Sequence, residues 1–365
     1  MAYVATRGGE RAIEQSERLY REDLGRIDKA RVDAIAESLP YLLDRVMGEA
    51  SLYAPELAAL ALAQSGGDLY EAVLLLRAYR TTQPRITIAE PVRQDELFTV
   101  RRISAAFKDI PGGQILGPTL DYSHRLLNVG VLSGEDFVPE AVELANTPAP
   151  ATQPSLADWQ KAQGLIADPP AEHVLLDEIP DVTREPLLFP ASRAHKLQSL
   201  ARADTGGTLA LGYATMRGYG NTHPTVNELR LGEAEVRIRH PRGTLFSTGR
   251  VRVSQAEIIS KAKNLQLGFS ATFGWNEVKV IAAASLDLAS SQEKPHPASN
   301  EEFVLYHTEP VESSGFCIHF KLPHYVTFQS SLDALRKVKA DQAANKAGAP
   351  AAGAAKPAEL EKAIS

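Results

Sequence analysis

Two histidines five residues apart, His319 and His324, stand either side of Pro323 in the stretch Gly315 to Val326. Read as a strand, Phe316, Ile318 and Phe320 alternate onto one face and Cys317, His319 and Lys321 onto the other. Pro323 lacks an N–H and holds Leu322 extended, so it ends the ladder. On a continuous helix a spacing of five separates two side chains by roughly 140°, and on a continuous strand they face opposite ways. Only a turn lets both imidazoles converge. Converging neutral imidazoles make a metal seat with two protein ligands, open to water, substrate or a partner subunit. The plainer alternative is a half-buried histidine beside a turn histidine. Cys317 shares the expected strand face of His319, either as a third ligand or as a small packed hydrophobe.

A second constellation is Met216-Arg217-Gly218-Tyr219-Gly220-Asn221-Thr222-His223-Pro224, expected to follow a strand. Its glycines would let backbone amides approach an anion. Arg217 could grip phosphate through both nitrogens, and Tyr219 could stack on a base, with Asn221 beside them. The alternative is an ordinary glycine turn.

A third runs from Lys108-Asp109-Ile110-Pro111-Gly112-Gly113 to Asp121, His124 and Arg125. Amides of Gly112 and Gly113 could form a phosphate nest charged by Arg101, Arg102 and Lys108. Asp109 or Asp121 could serve as an acid or base. Here the alternative is a rigid turn with solvated charges. Ser192-Arg193 is a further anion candidate. The chain has no Walker or dinucleotide fingerprint, no Gly-x-Ser-x-Gly elbow, no His-Glu-x-x-His and no Cys-x-x-Cys.

Composition narrows the class. The 365 residues suffice for two cored domains, and 44% hydrophobic with 23% charged residues is ordinary for a globular protein. A formal charge of -6 disfavours a general nucleic-acid binder. Cys317 is the only cysteine, so no internal disulfide can form. No apolar run is long enough to span a bilayer, and no signal core is visible near the N-terminus, which makes a cytoplasmic protein the expectation.

The elements that must position these residues divide by pattern. Residues 1–135 read as a mainly helical domain carrying a functional loop at 108–125. Val32, Ile35, Ala36 and Leu39 follow helical spacing, Pro40 and Pro55 open helices, and Asp68 caps a helix over 69–80. Residues 136–185 read as a linker or irregular excursion, rich in Pro, Ala and Thr over 138–157. Residues 186–335 read as a mixed domain. Strands are expected at 208–214, 235–239, 250–253, 302–307 and 315–320. A capped helix is expected at 276–289, with Val278, Ile281 and Ala282 on one face, and a final helix at 331–343. Residues 336–365 hold the end of that helix and a low-complexity Ala/Lys tail expected to be disordered. The fold class is α+β, with a helical N-terminal part and a mixed strand/helix C-terminal part.

Five stretches in order carry a resemblance: Tyr3-Val4-Ala5 with Gly8-Gly9-Glu10; Leu75-Leu76-Arg77-Ala78-Tyr79-Arg80-Thr81-Thr82; Lys108-Asp109-Ile110-Pro111-Gly112-Gly113-Gln114; Arg217-Gly218-Tyr219-Gly220 with His223-Pro224; and Lys321-Leu322-Pro323-His324-Tyr325-Val326. Together they resemble subunit I of the bacterial carbon–phosphorus lyase core complex, to about Leu335. Residues 132–180 depart most from it. The resemblance implies phosphonate breakdown. With its G, H and L companions, such a subunit displaces adenine from MgATP with a phosphonate such as methylphosphonate, giving a ribose 1-phosphonate 5-triphosphate. Alone it acts as a purine nucleosidase on ATP or GTP. The J subunit later cleaves the C–P bond, and the core holds two copies each of G, H, I and J. The family's zinc-binding pair maps onto His319 and His324, and Cys317 is not part of that pattern. Magnesium arrives with the nucleotide.

The residues suit that reaction. Displacing a base from ribose passes through an oxocarbenium-like state. It needs a triphosphate grip (Lys108, Gly112, Gly113, Arg217, Asn221), a stacking surface (Tyr219), an acid for the purine (Asp109, Asp121 or His223) and an oriented oxyanion at zinc (His319, His324). The alternative from another class is a non-catalytic zinc-binding scaffold subunit of the same assembly.

Overall fold

A computed structural model describes residues 8–138, 140, 153–166, 179–217, 224–261, 265–322 and 325–348. The chain forms two compact units, Leu24–Gly315 and Met1–Asp23 with Phe316–Ser365.

In the larger unit, the N-terminal helices follow their sequence signals. They are α2 (Lys29–Ser38), α3 (Pro40–Ala50), α4 (Pro55–Gln64) and α5 (Leu69–Thr81); α1 (Gly9–Leu24) belongs to the smaller unit. Pro40 and Pro55 sit in first turns, where a missing N–H costs nothing. Asp28 and Asp68 cap α2 and α5 through backbone N–H groups three residues on, both at 3.1 Å. The helices close on one core of Val32, Leu43, Val46, Met47, Leu62, Val73 and Leu76.

One antiparallel sheet, ordered β1-β2-β3-β4, follows: β1 (Phe98–Ile103), β2 (Thr225–Arg239), β3 (Leu245–Lys261) and β4 (Leu265–Phe273). It draws one strand from the N-terminal part of the chain and three from the C-terminal part. The expected strands at 235–239 and 250–253 lie within the long β2–β3 hairpin. Helix α9 (Glu277–Ser290) packs Val280, Ala284 and Leu288 onto Leu229, Ala256 and Ile258 of the sheet. Gly268 permits this approach, because a Cβ there would run into Ala284 O and Leu288. Beyond α9 lie α7 (Arg193–Ala201), α8 (Thr205–Met216) and α10 (Glu301–His307), while α6 (Leu156–Ala162) packs against β2. The secondary core is Leu200, Ala283, Leu286, Val304 and Leu305.

Three expected strands are helices. Residues 208–214 belong to α8, 302–307 to α10, and 315–320 to α11 (Pro310–Lys321). In each case a cap outweighs the β-branched and aromatic alternation. Asp204 accepts from Gly207 N at 2.5 Å and Asn300 from Phe303 N at 3.2 Å. Glu309 accepts from the N–H groups of Val311 and Glu312 at 2.8 and 2.9 Å. Alternation over five residues also satisfies an i, i+4 contact, which Phe316 and Phe320 make with ring centroids 4.9 Å apart.

Within α9 the expected face holds for Ala282, which is buried, and for Ile281, which packs against the sheet core, and is corrected at Val278. Val278 is 61% exposed, and Asn276 donates its amide to Asp44 O and Phe273 O instead of capping the helix. Within the excursion Gln153 and Ser155 are buried, and Ser155 caps α6. Its residues 139, 141–152 and 167–178 lie outside the described set, as does the tail from 349.

In the smaller unit α12 (Tyr325–Gly348) extends the expected final helix at both ends. Among the described residues no helix is long and apolar enough to cross a membrane.

Candidate functional site

The sheet face opposite α9 is charged and buried. A bulge after Val226 brings Asn227 beside Glu228, which pairs in register with Glu257. Asn227 donates to Glu257 at 2.9 Å and exchanges two hydrogen bonds with Gln160 of α6, at 2.7 and 2.9 Å. The Gln94 amide donates to both carboxylates, at 3.0 and 3.2 Å. Glu228 is also held by Arg230 at 2.9 Å and by Arg102. The side chains of Arg102, Arg230 and Glu228 have no solvent exposure. Burial, with the charge of Glu228 adding to it, pushes the Glu257 carboxyl up to about 7.

This network carries the first glycine loop. The Arg102 guanidinium donates to Pro111 O (2.5 Å), Gly113 O (3.2 Å), Gln153 Oε1 (3.0 Å) and Pro154 O (2.9 Å). Its backbone exchanges a bridge with Ile115, at 2.7 and 2.8 Å. The loop therefore turns carbonyls, not amides, toward Arg102. Gly113 N is already donated to Ile110 O at 2.9 Å. Gly112, at φ +83°, is required because a Cβ would collide with Gln153. Lys108 and Asp109 stand exposed at the loop's tip. Beside it opens a cleft of about 570 Å³ lined by Arg93, Gln94, Asp95, Pro111, Asp158 and Trp159.

Asp121 does not join this loop. Successive residues of a strand face opposite ways, and Arg101 points to the α9 side. There it holds Asp121 at 2.5 Å and Glu277 at 2.5 Å, while Arg125 takes the other oxygen of Asp121 at 3.3 Å. Asp109 and Asp121 are thus anchored through opposite faces of β1. The expectation that Arg101 and Arg102 charge a phosphate nest is overturned, since both guanidiniums are committed to protein partners. Ser192 and Arg193 are committed too: Ser192 caps α7 and Arg193 pairs with Asp287.

The second glycine loop follows a helix. Arg217 is the exposed C-cap of α8, and its N–H donates to Tyr213 O at 3.0 Å. Tyr219, Asn221 and His223 lie outside the described residues. Where the chain resumes, Val226 O accepts from both Ala105 N and Ala106 N at 3.1 Å. The start of β2 is therefore tied to the residues leading into Lys108.

His319 lies exposed in the last turn of α11, its carbonyl accepting from Leu322 N at 3.1 Å. His324 lies outside the described residues, and α12 begins at Tyr325. The described residues on either side are helical, α11 ending at Lys321 and α12 beginning at Tyr325, instead of a strand. Cys317 is exposed and, two residues away on a helix, turns about 200° from His319, so the shared face is lost. An exposed imidazole suits zinc as a donor. Among the described residues no group of three or more His, Cys, Asp or Glu side chains comes together as a metal site.

Sequence reasoning passed over Asn227, Glu228, Glu257, Gln160 and Gln94. The signal was present in Glu228-Leu229-Arg230-Leu231, an alternation that reads as a half-solvated strand.

Comparisons with known proteins agree with the sequence resemblance. Residues 2–342 match the family described as bacterial phosphonate metabolism protein (PhnI). The alpha-D-ribose 1-methylphosphonate 5-triphosphate synthase subunit PhnI of Rhizobium meliloti (strain 1021) is 42% identical, covering 95% of this chain and 97% of the relative. A putative C-P lyase subunit protein, HtxH, of Stutzerimonas stutzeri is 41% identical, with 96% and 100% covered. The synthase subunit PhnI of Escherichia coli (strain K12) is 38% identical, with 93% and 99% covered.

Proposed function

The chain belongs to the bacterial phosphonate metabolism family PhnI, a subunit of a carbon–phosphorus lyase system, and on that premise we propose that it carries the nucleotide chemistry: displacement of adenine from MgATP by a phosphonate. Without partners it would release purine from ATP or GTP as a nucleosidase. One observation carries this reading. The exposed Lys108–Asp109 tip is braced from beneath by a fully buried guanidinium that spends four hydrogen bonds on the loop and on residues 153–154. A buried charge is a costly way to hold a surface turn, and fits a turn whose position matters.

In this scheme Lys108 and Arg217 meet the triphosphate and its magnesium, with the second glycine loop (Tyr219, Asn221) on the base. Asp109 is the favoured acid among the described candidates, because the oxygens of Asp121 are occupied by two arginines. His223 remains the third candidate. His319 and His324 would hold zinc, which when bound supplies a Lewis acid for a phosphonate oxygen. The G, H, J and L subunits are the proposed partners. Phe328, Leu332 and Leu335, exposed along one side of α12, offer an apolar stripe for such an assembly.

The same stripe favours the second reading, a scaffold subunit that binds zinc without turning over nucleotide. Base release separates the two. The chain, alone and with G, H and L, is incubated with ATP or GTP, and free purine is quantified beside zinc content for wild type, Asp109→Asn, His319→Ala and His324→Ala. The catalytic reading expects release that falls at least tenfold in Asp109→Asn, and zinc loss in both histidine variants. No release under any condition supports the scaffold. Wild-type release from Asp109→Asn removes that residue as the acid.

A further inference from the structure

The stretch Arg77-Ala78-Tyr79-Arg80-Thr81-Thr82 has no part in the chemistry above, yet it ends at a pocket with unbalanced charge. A cavity of about 580 Å³ lies where the C-terminal turn of α5, residues 83–87 and the turn at 183–184 meet. Its walls include Arg80, Arg85, Arg184, Thr81, Thr87 and Thr183, and no carboxylate. We propose that this pocket binds a phosphate-bearing small anion, gripped by Arg80, Arg85 and Arg184.

The neighbouring arginines provide the contrast. Arg77 and Arg202, around an adjacent cavity of about 360 Å³, are answered by Glu309 and by carbonyls of Glu49, Arg202 and Val182. On β2, Arg237 pairs with Glu96 and Arg239 with Glu90, leaving Ile238 between them to line the proposed pocket. Arg80, Arg85 and Arg184 have one carboxylate among them, Asp181. It pairs with Arg85 and reaches Arg184 at 3.7 Å, while its other oxygen is taken by Thr183 at 2.6 and 3.0 Å. Arg80 makes no ion pair among those described, and its Nε is buried without a hydrogen-bond partner. A buried unmet donor costs about 1–3 kcal/mol. Burial lowers the Arg80 pKa; attraction to Asp181 works against this, and repulsion from Arg77, Arg85 and Arg184 adds to it.

Three convergent guanidiniums with an excess of positive charge match the geometry of phosphate oxygens. The adverse feature is the carbonyl end of α5, which repels anions. Thr81 and Thr82 mask it by donating their hydroxyls to Ala78 O and Tyr79 O at 2.6 and 2.7 Å. Along β2 the pocket, at Ile238, is twelve residues from Val226 beside the glycine loop, about 40 Å of strand. It is therefore a separate site, and it stands whether or not the base-displacement reading holds.

The test is calorimetric titration of the full chain with inorganic phosphate and tripolyphosphate. Wild type is expected to bind tripolyphosphate at micromolar to millimolar concentration, more tightly than phosphate, with affinity falling as salt rises. Arg85→Gln and Arg184→Gln, at partly exposed positions that leave the cores intact, should each weaken binding roughly tenfold, the worth of one charge-assisted contact. Arg237→Gln, whose guanidinium pairs with Glu96 outside the pocket, should leave it unchanged. Absence of heat with either anion, or undiminished binding in both the Arg85 and Arg184 variants, overturns the proposal. Binding abolished by Lys108→Ala also overturns it, because the ligand would then sit at the glycine loop.

Discussion

The two faces of the sheet solve the same problem with opposite chemistry. On one, Leu229, Ala256 and Ile258 meet Val280, Ala284 and Leu288 of α9, an apolar interface closed by the bare backbone of Gly268. On the other, Arg102, Arg230, Glu228, Glu257 and Asn227 are equally dry but are held by ion pairs and amides. Replacing a buried ion network with apolar residues is often neutral or stabilising, so stability alone does not account for the charged face. What distinguishes it is its cargo. The apolar face holds a helix, and the charged face holds the loop bearing Lys108 and Asp109. Directional bonds fix a loop's position and register, whereas apolar packing tolerates small slips.

The sharpest way to break this comparison is Arg102→Met. It deletes a fully buried guanidinium and leaves Glu228 with one cation, so a cost of about 3–5 kcal/mol is expected in urea unfolding. Hydrogen exchange should speed up at Gly113 and Ile115, whose neighbours lose their anchor. Leu288→Ala on the other face should cost about 2–5 kcal/mol through a cavity, with exchange in the loop unchanged. Equal loosening of the loop in both variants would erase the distinction between the faces.

Next in size is the pH response. The Glu257 carboxyl titrates in the folded chain at about 7, raised from 4.5. The folded state therefore binds its proton more tightly than the unfolded one. As pH rises through 4.5 the unfolded chain ionises first, and stability drains until the folded group ionises too near 7. The loss across that window is about 3 kcal/mol. Wild type should be more stable at pH 4 than at pH 8 by this amount once other groups are subtracted, and Glu257→Gln should abolish the difference. The apolar-face variant Leu288→Ala should retain the wild-type slope. A Glu257→Gln protein with an unaltered slope would place the titration elsewhere.

What the sequence made legible tracks how local the cause is. Pro40, Pro55 and Asp68 act within one turn, and the three helices α3, α4 and α5 start where those residues put them. The strands assigned to α8, α10 and α11 failed because Asp204, Asn300 and Glu309, polar residues just outside each alternating run, decide the outcome. At the site, the Gly112 turn was readable from its glycines. The polar network was not, since nothing near Glu228 in sequence announces Gln94, Gln153 and Gln160, which bury it. Alternation gives the two faces of a strand, but only tertiary contacts say whether the polar one meets water.

The smallest effect tests that same point within α9. Val278, Ile281 and Ala282 were expected to share an inward face, yet Val278 is 61% exposed and Val280 fully buried. Ile281 and Ala282 do pack inward, but the contact is set by the sheet residues Leu229, Ala256 and Ile258 together with the second core around Leu286, so the buried surface of α9 takes in Val280 and leaves Val278 out. Truncating Val280 to Ala removes two buried methyl groups and leaves a cavity against the sheet, for about 2 kcal/mol. Val278→Ala removes the same atoms from solvent and swaps a β-branched residue for the best helix former, so its change should stay within about 0.5 kcal/mol of zero, on the stabilising side. Thermal unfolding of the pair measures this directly. A loss in Val278→Ala comparable to that in Val280→Ala would turn α9 back toward the face its sequence suggests, and would remove the apolar half of the comparison.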